Sequence, residues 1–198
     1  MTTTTLTAPA PRVSTSTALT LWITVGVLSA LGMTYGLAAM HGLGISDGTT
    51  AMTPATSVGV AALCYLAAAA TCTRWVAWLG VPVFSGLAFA GLMVTLPWWT
   101  LLAIAGGVLL LIGVLTGAGR ISTIQALAML GYFGVAVAAL YLSPRVGLTL
   151  AALSLAAHAL WDVWHYRRDV VVIRSMAVFC IGLDLTMGGL CVALAVIG

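Results

Sequence analysis

Apolar runs long enough to cross a bilayer recur along the whole of this sequence, and they remove most folds from consideration. Apolar residues fill 62% of the 198 positions and charged residues only 6%, with a mean hydropathy of +1.18. A soluble domain carries about 25% charged residues to cover its surface. This chain has no such supply. The sequence therefore predicts an all-α fold, a polytopic transmembrane helix bundle held in a lipid bilayer. At about 20 residues per span plus short turns, the length leaves no room for a soluble domain.

The formal charge of +3 comes from seven arginines against four aspartates, with no lysine and no glutamate. Arginines this sparse make no basic stripe, which excludes nucleic acid as a partner. Cys64, Cys72, Cys180 and Cys191 lie in apolar runs without a CxxC pair, so they read as small buried fillers.

Residues 1–17, rich in Thr, Ser and Pro, are expected to be a disordered tail ahead of a single transmembrane domain over 18–198. Helices are expected at about 18–40, 57–72, 75–96, 100–115, 123–142, 146–166 and 173–197, which makes seven spans. The first is read as a span and not as a removed leader, because Arg12 stands apart from an apolar run too long for a signal peptide. Pro97-Trp98-Trp99 is expected at a membrane interface, where tryptophan favours the headgroup level. Gly32-x-x-x-Gly36 and Gly113-x-x-x-Gly117 read as helix-packing positions.

The arginines give this scheme a direction. With the N-terminus cytoplasmic, Arg12, Arg74, Arg120, Arg167, Arg168 and Arg174 all fall inside and only Arg145 falls outside. The positive-inside rule then places the C-terminus outside, in a plasma (inner) membrane.

The chemistry concentrates in one stretch. Five of the seven aspartates and histidines lie between His158 and Asp184. His158, Asp162, His165 and Asp169 follow one another at four, three and four, which sets them on one helical face. Counting inward from Arg168 and from Arg174 at 1.5 Å per residue puts His158 and Asp184 about 13–15 Å deep, level with each other across a hairpin. Cys180, Asp184, Met187 and Cys191 form the matching face. An intramembrane aspartate costs about 2.5–3.5 kcal/mol on insertion scales, so Asp184 needs a partner, and His158 is the expected one. Asp162 and His165 are expected shallower, within reach of water. Asp169 is expected to pair with Arg168 or Arg174 in solvent. Trp161 and Trp164 are expected in the interfacial belt. His41 and Asp47 are expected on the outer side, away from this site.

Imidazole and carboxylate are ordinary ligands for Zn²⁺ or Fe²⁺, and a catalytic site takes three of them plus a water. On that reading His158, Asp162 and His165 hold a divalent metal such as Zn²⁺ in an inner-leaflet polar pocket. Asp184 then orients them or serves as the catalytic base for an attacking water. His158-Ala-Leu-Trp-Asp162 is similar to the H-x₃-H pair in the last helix of the alkaline ceramidase/adiponectin-receptor superfamily of seven-helix, zinc-dependent membrane hydrolases. The sequence departs from that pattern in three ways. The second position is Asp162, the pair lies in the sixth predicted helix, and Ser57 is followed four residues on by Ala61 where that superfamily has Ser-x₃-His. Three functions stay open at this point: a metal-assisted membrane hydrolase or lipid-modifying enzyme, a small proton- or ion-coupled transporter using Asp184, and a structural or partner-binding membrane subunit.

Overall fold

The computed structural model describes residues 15–41, 49–91, 93 and 96–197, and every regular element among them is an α-helix. The helices are α1 (Thr15–His41), α2 (Thr49–Ala70), α3 (Val76–Gly91), α4 (Trp99–Leu115), α5 (Gly119–Ala139), α6 (Pro144–Arg168) and α7 (Arg174–Ile197). Five of them, α1, α2, α5, α6 and α7, are long and apolar enough to cross a membrane. The other two, α3 and α4, have 16 and 17 residues. At 1.5 Å per residue they reach about 24–26 Å, short of a hydrocarbon core about 30 Å thick. Most of the expected tail and the loop bearing Asp47 lie outside the described residues, and α1 already begins at Thr15.

Three boundaries differ from the sequence reading, each for a local reason. α2 starts at Thr49, eight residues earlier than expected, and carries Pro54 inside it. Pro54 stands early in the helix, so its missing N–H removes a single bond near the terminus. α5 starts at Gly119 because Gly117, at φ +83°, has already closed α4. Glycine carries that left-handed C-terminal position without a Cβ penalty. α3 ends at Gly91 and not near Leu96. A Cβ at Gly91 would meet the Trp98 carbonyl oxygen at 2.6 Å, so the end of α3 packs directly on the residue before α4.

The core is organised around α2. In its apolar segment Met52–Ala70, 89% of the most hydrophobic window is buried, against 11% in α1. Helices α3, α4, α5, α6 and α7 all pack on it. A helix apolar on every side belongs in the middle of a bundle. Its Ala, Gly and Ser positions let neighbours approach closely. Gly59 packs under the ring of Phe133 (α5), and the Cys64 sulfur lies against Gly80 (α3). Thr116 donates to the Ala70 carbonyl at 3.0 Å, tying the end of α4 to the end of α2.

α1 docks on α7 and α7 on α6, again through glycine. A Cβ at Gly182 would meet the Ile23 carbonyl oxygen at 2.6 Å, and one at Gly188 would meet the Ala152 oxygen at 2.9 Å. Of the two GxxxG pairs, Gly113 packs against Ser122 and Ala70, whereas a Cβ at Gly32 meets nothing within 4 Å. Packing within the chain therefore accounts for Gly113 and not for Gly32.

The α6–α7 turn is tight. Asp169 ends α6 in the left-handed region at φ 51°, and Val171 at φ 66° lies inside a γ-turn closed by Val172 N–H to Val170 O at 2.8 Å. Arg74, in the α2–α3 turn, holds it. Its guanidinium donates to the Val172 carbonyl at 2.7 and 3.1 Å and to the Asp169 carboxylate. Arg174 stands 3.5 Å from the same carboxylate. Asp169 thus pairs with Arg74 and Arg174, where the sequence reading named Arg168 or Arg174. The Arg74 hydrogen bond holds the Asp169 carboxyl below its ordinary range.

Candidate functional site

The four-residue step between His158 and Asp162 carries both side chains inward on the same face of α6. α7 runs antiparallel beside it, and the close approach at Gly188 sets the register that brings Asp184 level with His158. His158 Nδ1 lies 2.8 Å from Asp184 Oδ2 and 3.5 Å from Asp162 Oδ2. One ligand atom from each of His158, Asp162 and Asp184 falls within 4.8 Å of the others.

A third helix completes the arrangement. Tyr65, on the central α2, donates its hydroxyl to Asp162 Oδ1 at 2.6 Å. Its ring meets His158 edge-on at 5.7 Å between centroids, and Tyr132 from α5 meets the same imidazole at 5.2 Å. All three members of the cluster are sealed, with His158 1% exposed and both aspartates 0%. Two of their oxygens, Asp162 Oδ2 and Asp184 Oδ1, are buried without a hydrogen-bond partner. Buried polar atoms in native proteins are nearly always paired, so an orphaned carboxylate oxygen calls for an explanation such as an ion.

His165 is close in sequence but engaged elsewhere. Trp161 Nε1 donates to Gln125 Oε1 at 3.1 Å, which fixes the Gln125 amide so that its NH₂ faces His165 Nε2, also at 3.1 Å. The other ring nitrogen, Nδ1, donates to the Trp161 carbonyl at 2.8 Å. With Nδ1 donating and Nε2 accepting, this is a neutral imidazole with no lone pair left to offer. The ligand atoms that converge are therefore those of His158, Asp162 and Asp184, and His165 lies outside the group. Asp184, expected beside the group formed by His158, Asp162 and His165, stands within the converging cluster.

Two other expectations change. Asp162 and His165 are not in reach of water; they are 0% and 1% exposed. The polar pocket expected around the four residues is packed shut, with His158, Asp162, His165 and Asp184 all at 0–1% exposure. Cys64, Cys180 and Cys191 are buried as expected, whereas Cys72 is exposed past the end of α2 at φ 49°.

The sequence reading did not find Tyr65 or Gln125. A signal existed for each. A tyrosine in a helix apolar on every side must bring its hydroxyl to a partner, and few acids are available in this chain. Gln125 is the single glutamine of the sequence and stands in a predicted span, where a side-chain amide also needs a partner.

No known protein-family model matches the chain, and neither does any curated protein or any solved structure.

Proposed function

We propose that this chain is a seven-span protein of the plasma (inner) membrane, N-terminus cytoplasmic and C-terminus outside, in which His158, Asp162 and Asp184 hold a divalent cation such as Zn²⁺ and support a metal-assisted hydrolytic or lipid-modifying step. The observation that carries this reading is the convergence of one imidazole and two carboxylates within 4.8 Å, with two carboxylate oxygens left unpartnered. With the imidazole neutral, as a metal ligand must be, the two carboxylates would present two negative charges, which a divalent cation balances. Balance matters here because an uncompensated charge in a low-dielectric interior is expensive. Three protein ligands leave a coordination position free, as catalytic sites do, and a metal held this way polarises a bound carbonyl or activates water. Tyr65 fixes the rotamer of Asp162 so that its free oxygen stays directed at the cluster. Direction in the membrane rests on the arginines, with Arg145 alone at the opposite end from the others.

A second reading draws on the complete burial of the site. A small carrier that passes the same cation across the bilayer also holds it, at one stage of its cycle, in a closed cluster lined by acids. Here Asp184 is the residue the moving ion depends on.

Metal analysis of the detergent-purified protein tests both readings. About one equivalent per chain is expected, lost in His158→Ala and Asp184→Asn and kept in His165→Ala. Reconstitution in liposomes then separates them, since cation flux stopped by Asp184→Asn identifies the carrier. Absence of metal, with all three variants affecting only thermal stability, would leave a structural or partner-binding subunit and end the proposal.

A further inference from the structure

The α5–α6 seam carries two depressions in succession. The first, about 380 Å³, is lined among others by Ala128, Gly131 and Tyr132 of α5 and by Leu150, Leu153 and Ala157 of α6. The second, about 350 Å³, lies at the end of the helices where α4 meets α5 and α6 meets α7; Arg120, Gln125 and Trp164 line it. On α5 the lining positions 121, 124, 125, 128, 131, 132 and 135 recur every three or four residues, and on α6 so do 150, 153, 154 and 157. At that spacing they form one continuous face of each helix. The two hollows are thus upper and lower parts of one lane.

The two parts differ in chemistry. The first is apolar and opens outward between Leu150, Leu153 and Val135, which are 37%, 50% and 48% exposed. The Ser154 hydroxyl in it is already spent on the Tyr132 carbonyl at 2.6 Å. The second has a cation at its mouth. Among the described residues no acid pairs with Arg120, since Asp162 and Asp184 belong to the cluster and Asp169 to Arg74 and Arg174. About 17 Å of helix separates Arg120 from the middle of the apolar hollow at 1.5 Å per residue.

We infer that the α5–α6 seam binds one anionic membrane lipid, with its headgroup at Arg120 and an acyl chain in the groove at Gly131 and Ala157. The occupant follows from the charge: an unpaired arginine at one end and an uncharged groove at the other match an amphiphile with a negative head. Between the two hollows stands Trp161, whose indole N–H is held by Gln125. Behind it are His165, in edge contact at 4.9 Å, and the His158 cluster. The linkage between head and chain therefore lies against Trp161 and Gln125, at the level of the proposed metal. The inference rests on the membrane reading above and names the class of lipid that site would meet; it does not require the metal.

The test uses the full chain in nanodiscs of equal parts phosphatidylglycerol and phosphatidylcholine, with native mass spectrometry to count the lipid retained. Phosphatidylglycerol should be favoured about fivefold, the size of one arginine–headgroup attraction. Arg120→Gln should return the ratio to that of the bulk, and Arg145→Gln, at the other end, should leave it unchanged. Gly131→Leu should lower retention of both lipids, and it is a clean variant because a Cβ there meets nothing within 4 Å. Retention without headgroup preference, or preference unmoved by Arg120→Gln, overturns the inference. A preference abolished by excess inorganic phosphate would mark a soluble-anion site and overturn it as well. Metal content measured on the same samples reports separately, so metal retained while lipid preference is absent refutes this inference alone.

Discussion

Tyr65→Phe removes one oxygen from the centre of the bundle and tests whether Asp162 depends on it. The ring survives, and with it the edge contacts to His158 and His165 at 5.7 and 4.7 Å. What is lost is the 2.6 Å hydrogen bond to Asp162 Oδ1. A hydrogen bond to a charged group contributes about 1.5–3 kcal/mol, and its loss leaves a buried acceptor unmatched. Asp162 Oδ2 already has no partner, so the variant leaves the carboxylate facing His158 alone, 3.5 Å away. We expect a destabilisation of about 2 kcal/mol, which for a chain of this size lowers the thermal midpoint by about 4–8 °C. The midpoint should be read in detergent at fixed scan rate, because irreversible unfolding makes it rate-dependent.

The same change frees Asp162 to rotate, so affinity for added Zn²⁺ should fall about 10–100-fold, the usual effect of losing a group that orients a metal ligand. A double-mutant cycle with Asp162→Asn separates the two effects, since the contribution of the Tyr65 hydroxyl should largely vanish once the carboxylate is gone. A Tyr65→Phe protein whose midpoint and metal affinity both match the parent would refute the assignment of Tyr65 as the residue that sets Asp162.

Gly182→Val should push α1 off α7, because its Cβ meets the Ile23 backbone oxygen at 2.6 Å and backbone cannot yield as a side chain does; a loss of about 1–3 kcal/mol in thermal unfolding is expected, with Gly32→Ala neutral as the control. Stability should also depend on pH through Asp169. Its folded pKa lies below the ordinary 3.8 through the Arg74 hydrogen bond, so the stabilisation is complete above the unfolded value and disappears as pH falls through the folded one. Asp169→Asn should flatten the acid limb of a stability–pH profile below about pH 4 and leave the neutral region unchanged in shape, with added salt weakening the effect in the parent.

What the sequence made legible follows from how strongly each feature is determined by short-range spacing. The helical class came from apolar runs, and the meeting of His158 with Asp184 came from counting residues away from Arg168 and Arg174 on either side of one turn. Both are local inferences. The membership of the cluster was not local. His165 has the right spacing to join His158 and Asp162, yet Gln125, 40 residues away, takes its free nitrogen. Tyr65 reaches Asp162 across 97 residues, and Arg74 reaches Asp169 across 95. Spacing along α6 fixes which side chains share a face; what sits opposite that face depends on how α2 and α5 pack. The start of α2 was missed because Thr49–Ser57 has the composition of a loop, while packing overrides propensity.

The α3–α4 hairpin bears on span number in a way the arginines do not. Arg74 precedes it and Arg120 follows it, so the two arginines keep the same side whether the hairpin crosses fully or turns back within the bilayer. Sidedness is therefore a separate matter from the count of seven. Trp98, expected among headgroups, is 9% exposed and packs on Phe133 at 6.3 Å between centroids, while Met93 and Leu96 before it are 85% and 51% exposed. Phe133 lies six residues before the end of α5, which places Trp98 about 9 Å short of that end. Local thinning of the bilayer accommodates such a mismatch at a cost of fractions of a kcal/mol per Å. The cluster does not depend on the outcome. His158, Asp162, Asp184 and Tyr65 come from α2, α6 and α7, all long enough to cross on their own, and the depth of the site is set by those three helices whichever way the shorter pair is accommodated.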